Sequence, residues 1–214
     1  MDEETAIVNN NTRNEKIRFF FKNNKRLLIS IFSSIVILII AYFIFDEYKE
    51  KKKIKISNQY NSIVTGYSKN NAETTAQALI KLISKKDSTY SPLSLYFIID
   101  NKLIKEPSKV NELFDIVIED IYLDREIKNL IIYKKAMYNA DIISENELLD
   151  ILNPILKSES VWKSHALLLM ADFFEHSNNL IKSKDFLEEI VNSELANNEI
   201  RIEAERRLKR KFGE

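Results

Sequence analysis

Residues 27–45, LLISIFSSIVILIIAYFIF, run for nineteen positions without a charged side chain in a chain that is otherwise 30% charged. At about 1.5 Å per residue such a helix is roughly 28 Å long, close to the roughly 30 Å hydrocarbon thickness of a bilayer. A core helix of this length normally keeps a polar face, and this stretch has none. A cleaved signal peptide has a shorter apolar region followed by a small-residue cleavage site. Here the run ends in Phe43-Ile44-Phe45-Asp46-Glu47, without such a site. Ser30, Ser33 and Ser34 are tolerable because each hydroxyl can bond a carbonyl one turn back. The reading is an uncleaved transmembrane helix at 27–45 behind a short tail, 1–26, with residues 46–214 left for one domain with a real core.

What is scarce narrows the chemistry. Cysteine is absent, which excludes a disulfide framework, a thiol nucleophile and a Cys-ligated metal. The two glycines, Gly66 and Gly213, cannot build a phosphate-binding or dinucleotide-binding loop, and they argue against a hairpin-rich fold. Formal net charge is zero, so the whole chain has no electrostatic pull toward nucleic acid. His165 and His176 are eleven residues apart, about 16 Å along one helix, too far to share a metal. The paired carboxylates Glu119-Asp120, Glu145 with Glu147, and Glu188-Glu189 fall on polar faces or in first turns, where nothing desolvates an acid. No nucleophile-elbow sequence is present. We expect no enzyme, no cofactor, no metal and no nucleic-acid partner.

Beyond the span, DEYKEKKKIKISNQY has neither Pro nor Gly, so the helix is expected to continue into water, 46–69. From 70 to 214 helical periodicity recurs between boundary signals, with no sustained alternation of period two. Asn70-x-x-Glu73 resembles a capping box ahead of Ala72, Ala76, Leu79, Ile80 and Ile83. Ser91-Pro92 reads as an N-cap and first-turn proline for a helix bearing Leu93, Tyr96, Phe97 and Ile104. Pro107 opens the cleanest stripe, Val110, Leu113, Phe114, Val117, Ile118 and Ile121. Asp124 caps a helix with Ile127, Leu130, Ile131, Met137 and Tyr138. Ser144-x-x-Glu147 precedes Leu148, Leu152 and Ile155, with Pro154 shortening that helix. Ser160 begins a helix with Trp162, Ala166, Leu169, Met170 and Phe173, and Asn178 and Asn197 start the last two. The class is all-α, about eight or nine helices joined by short polar turns.

Such a chain packs either as an irregular bundle or as a stack of helix pairs. A 34-residue tetratricopeptide repeat needs small residues at two close-approach positions and an aromatic in the wedge between. Residues 164–197 supply Ala171, Phe174, Ser183 and Leu187 at the right offsets. Residues 57–90 supply Tyr67, Ala76 and Ile80, with Val64 at the first small position. This favours a TPR-like α-solenoid over 70–214.

Three segments carry a family resemblance: the tail IVNNNTRNEKIRFFFKNNKRLL, the lysine-rich exit helix YKEKKKIKISNQYNSIV, and VWKSHALLLMADFFEHSNNLIKSKDFLEEIVNSELANNEIRIEAERRL. In these the chain resembles the bacterial single-span TPR-like family of ancillary subunits of the SecYEG translocon. Ser183 and Ile190 stand where that repeat usually has alanine. The resemblance implies a cytoplasmic N-terminus, a periplasmic helical domain, and partners among translocon subunits, periplasmic chaperones or unfolded clients.

Charge counts alone barely orient the span. Twenty residues on the N-side hold Arg13, Lys16, Arg18, Lys22, Lys25 and Arg26, against Lys49, Lys51, Lys52, Lys53 and Lys55 on the C-side. Lys25 and Arg26 abut the apolar run, whereas the C-side begins with Asp46-Glu47, and long domains translocate largely regardless of charge. The N-terminus is therefore expected in the cytoplasm and the domain in the periplasm of a bacterial inner-membrane protein. Lys51, Lys52 and Lys53 lie where lysine can snorkel to lipid headgroups. The run Arg206-Arg207-Leu208-Lys209-Arg210-Lys211 is better explained as a helix C-terminus complementing its dipole. A solenoid's inner face exposes aromatics to extended peptides, and Tyr60, Tyr67, Tyr96 and Tyr133 are the candidates. The leading function is a membrane-anchored protein-interaction scaffold. The alternatives are a structural assembly subunit of another inner-membrane complex and, last, a hydrolase.

Overall fold

The computed structural model describes residues 15, 16 and 18–213. The tail through residue 14, with Arg13 of the charge count, lies outside the described residues, as do 17 and 214. Every regular element among the described residues is helical. Residues 18–23 are helical up to Asn24, after which α1 runs Lys25–Thr65. A 3-10 turn, Lys69–Asn71, leads into α2 (Ala72–Ile83), α3 (Tyr90–Asp100), α4 (Pro107–Glu119), α5 (Arg125–Asn139), α6 (Glu145–Leu156), α7 (Lys163–His176), α8 (Leu180–Asn192) and α9 (Asn198–Phe212).

Contacts divide the chain into two units, residues 1–55 and 56–214. In the first, the apolar side chains of 27–45 are exposed except for half-buried Leu28, and none of the most hydropathic 18-residue window is buried. A core helix would be covered; this stretch is long and apolar enough to cross a membrane and has no protein cover.

The second unit holds three apolar clusters in chain order. Ile56, Leu79, Leu82, Ile83, Leu95, Ile98, Val110, Leu113, Phe114, Val117, Ile121 and Ile131 form the first, across the end of α1 and α2 to α5. Ile132, Ala136, Leu148, Leu152, Ile155, Ala166, Met170 and Phe174 form the second, across α5, α6 and α7. Leu167, Ala171, Leu187, Ile190, Ile200, Ala204 and Leu208 form the third, across α7, α8 and α9. From α2 onward each helix packs on the next, and α2 also meets α4, α5 meets α7, and α7 meets α9.

Several boundaries fall where the residues predict. Asp124 accepts a hydrogen bond from Glu126 N at 3.1 Å, Ser144 and Glu147 form their capping box, and Asn197 accepts from Glu199 N and Ile200 N. Pro154 is followed by only two more helical residues. Five expectations need correction. The helix leaving the span ends at Thr65, short of 69. The box before α2 is Ser68 with Asn71, whose Oδ1 accepts from Ser68 N at 2.8 Å, and Asn70 plays no part in it. Ser91 and Pro92 lie buried inside α3, because Asp87 caps that turn, accepting from Thr89 N and Tyr90 N. Ile104 falls beyond the end of α3. Asn178 does not open α8; it ends α7.

That last turn shows how the chain manages without glycine. Asn178 takes a left-handed φ of 60°. Asn179 N bonds the Phe174 carbonyl at 2.8 Å and Asn178 N the Glu175 carbonyl at 3.1 Å, a Schellman ending in which asparagine replaces glycine. Asn179 then caps α8 by accepting from Lys182 N. So short a connection brings α7 and α8 side by side, and Ala171 and Ser183, both buried, are the small residues of that pair. Ala171→Trp is expected to cost about 1–3 kcal/mol by overpacking. Denaturant titration of the detergent-solubilised chain measures it, and no loss would remove Ala171 from the close-approach position.

Between α4 and α5 the bridge is polar. Asn111 Nδ2 donates to Asn139 Oδ1 at 2.8 Å, and Asn139 Nδ2 donates to Asn111 Oδ1 at 2.7 Å and to the Lys135 carbonyl.

Candidate functional site

The four tyrosines do not gather. Tyr60 lies 5.6 Å from the Tyr90 ring against the first cluster. Tyr67 meets Phe97 edge-on at 5.3 Å. Tyr96 is packed against the first cluster with Lys134 Nζ 4.7 Å above its ring, and burial pushes its hydroxyl up to about 12. Tyr133 is set apart from these, against the second cluster.

Around Tyr133 the fold assembles a group that sequence spacing does not reveal. Its ring stacks on Trp162 at 5.9 Å and 22°. His165 meets Tyr133 edge-on at 5.8 Å and Trp162 at 5.0 Å. Tyr133 comes from the middle of α5; Trp162 caps α7 and His165 lies in its first turn. One acid fixes the approach of the two helices. Glu126 Oε2, two turns before Tyr133, accepts from Ser160 Oγ at 2.7 Å and from Val161 N at 3.2 Å. Ser160 Oγ in turn accepts from Trp162 N at 3.2 Å. The Ser160 hydrogen bond is the main reason the Glu126 carboxyl is held below the ordinary range.

Asn129 lies one turn after Glu126 and one turn before Tyr133, so it shares their face of α5. Its Nδ2 and the Nδ1 of His165 are buried without a hydrogen-bond partner. Such atoms normally find partners. The three partly buried rings form an aromatic surface where α5 meets α7. Along α7 the surface continues to Asp172, which pairs with Arg207 of α9, and Glu175, which pairs with Lys211. Burial raises the Tyr133 hydroxyl, with the Asp172 charge adding to it.

Burial also lowers the His165 pKa from its ordinary 6.5. The fold therefore favours neutral imidazole. That stability is fully present above about pH 6.5 and is lost as pH falls through the folded value. Wild type should melt at progressively lower temperature as pH falls below about 6.5, while His165→Phe should lack that portion of the decline. Thermal scans in detergent read the difference, and parallel pH profiles would refute it.

The basic groups have diverse placements. Lys51 pairs with Glu47 at 2.7 Å, while Lys52 and Lys53 are exposed beside it. In the C-terminal run Glu203 accepts from both Arg206 and Arg207 at 2.8 Å, and Arg207 and Lys211 reach acids of α7. No family model, curated protein or solved structure matches this chain.

Proposed function

We propose that the protein is a membrane-anchored interaction scaffold. Residues 27–45 span a bacterial inner membrane with the N-terminus in the cytoplasm, and the helical domain in the periplasm binds extended segments of partner proteins. Its supporting observation is the half-buried aromatic group Tyr133–Trp162–His165 at the α5–α7 junction. An α-solenoid arrangement is favoured by helices that pack on their next and next-but-one neighbours, and by clusters that succeed one another along the chain. The resemblance to ancillary SecYEG subunits adds translocon components, chaperones or unfolded clients as the partners.

The test is photocrosslinking in native membranes. A photoreactive residue replacing Tyr133 should capture protein chains, and Trp162→Ala should lower the yield. Yield no higher than from the exposed position Lys157, on the turn after α6, would sink the reading. Protease added to spheroplasts should digest the domain; protection until lysis would place it in the cytoplasm.

A permanent assembly subunit is the second reading. It is favoured by exposed Tyr122, Val161 and Leu195, one on each of the turns α4–α5, α6–α7 and α8–α9. Co-purification that survives high salt would select it, and salt-sensitive capture selects the scaffold.

A further inference from the structure

The stretch just before the span carries an apolar load of its own. Phe19, Phe20 and Phe21 are 67%, 56% and 57% exposed on the helical residues 18–23. Phe20 and Phe21 touch edge to face at 6.2 Å. Helical residues advance by about 100° each, so three in a row fan over roughly 200°. A helix that docks into a protein groove keeps its anchors within one stripe, at i, i+3, i+4 and i+7. One turn toward the span from these rings stand Lys22, Asn23, Asn24 and Lys25, all polar. A fan of rings with no stripe suits a medium that surrounds the helix.

The charges agree. Residues 15–26 hold five cations, Lys16, Arg18, Lys22, Lys25 and Arg26, and one acid, Glu15. Arg26 directly abuts Leu27, the first residue of the apolar run. Phe21 is six residues before Leu27, about 9 Å along a helix. The headgroup layer on each side of the hydrocarbon is about 5–7 Å deep. The regular helix is interrupted at Asn24, so that in a bilayer residues 18–23 can lie along that layer instead of leaving it.

We propose that residues 18–26 are a lipid-binding segment. The rings of Phe19, Phe20 and Phe21 sit at the boundary of headgroups and acyl chains. Arg18, Lys22, Lys25 and Arg26 hold acidic phospholipid headgroups of the same leaflet. The inference rests on residues 27–45 crossing the membrane, and it adds a second lipid contact, on the other side of the span from Lys51, Lys52 and Lys53.

The full-length chain in vesicles tests it. Trp162→Phe removes the native indole, Phe20→Trp reports on the segment, and in a separate protein Ile37→Trp reports on the span. Vesicles are phosphatidylcholine with or without phosphatidylglycerol. With phosphatidylglycerol, Phe20→Trp should emit to the blue, resist acrylamide, and be quenched best by lipids brominated near the headgroup. Ile37→Trp should be quenched best by lipids brominated deep in the chain. Adding Arg18→Gln and Lys22→Gln should shift the inserted-to-exposed ratio about fivefold per cation, equivalent to about 1 kcal/mol each. A water-like, acrylamide-accessible Phe20→Trp beside a deeply quenched Ile37→Trp overturns the proposal and leaves the span intact. Loss of quenching at both positions overturns both. Equal shielding with and without phosphatidylglycerol overturns the acidic-headgroup part.

Discussion

Val36→Arg combined with Ile37→Arg should release the protein from the membrane fraction. Residue 36 is the midpoint of the run 27–45, where one arginine costs roughly 2.5–3.5 kcal/mol on insertion scales. The run has fourteen Leu, Ile, Val and Phe residues, each worth roughly 0.3–0.6 kcal/mol in favour of insertion. Two arginines therefore cancel most of what the remaining twelve supply. Alkaline carbonate extraction should leave wild type in the pellet and move the double variant to the supernatant. Val36→Leu with Ile37→Leu is the control and should stay embedded. Retention of the arginine variant would mean that α1 does not anchor the chain.

Phe174→Ala should cost about 3–5 kcal/mol, a large share of the 5–15 kcal/mol typical of a whole domain. Phe174 is almost fully buried in the second cluster. It stacks on Phe186 at 5.5 Å and 15°, and Lys182 Nζ lies 4.9 Å over its ring. Its neighbour Phe173 is only partly buried, so Phe173→Ala should cost clearly less. Denaturant midpoints of the full chain in detergent compare the two. A larger loss at Phe173 would mean that α7 is turned by one residue from the packing described.

These adjacent phenylalanines mark where sequence patterning reaches its limit. Reading α7 as one stripe selects Trp162, Ala166, Leu169, Met170 and Phe173. In the fold α7 is covered on two flanks, with Ala166, Met170 and Phe174 facing one cluster and Leu167 and Ala171 another. A helix buried on two sides has no single apolar stripe to find. The α4 stripe is legible because one flank does most of the packing: Val110, Leu113, Phe114 and Val117 are buried, Ile118 is half-buried, and buried Ile121 follows just beyond the helix. α3 is harder still, since its buried positions include Ser91, Pro92 and Ser94. Caps follow the same logic. Asp124, Ser144 and Asn197 act within three residues of themselves, so their roles can be read locally. Glu126 holding Ser160 and Val161 acts across more than thirty residues. Tyr133 was readable as a candidate, but its stacking on Trp162, 29 positions away, depends on that remote clamp, and no local spacing encodes it.

The Asn111–Asn139 pair has a consequence for alignment. Apolar faces of Val, Ile and Leu tolerate sliding, because one methyl replaces another. If α4 slid by one turn along α5, about 5.4 Å, both amide bonds would part; Asn139 Nδ2 would keep the Lys135 carbonyl, but its buried Oδ1 would be left without a partner. The pair thus acts as a key that admits one alignment of the two helices, as a buried asparagine does in a coiled coil. Replacing both with leucine would test whether the key sets uniqueness at some expense of stability. The variant would be expected to hold together at least as firmly, but in several alignments, seen as doubled or broadened amide resonances where the native chain gives one set.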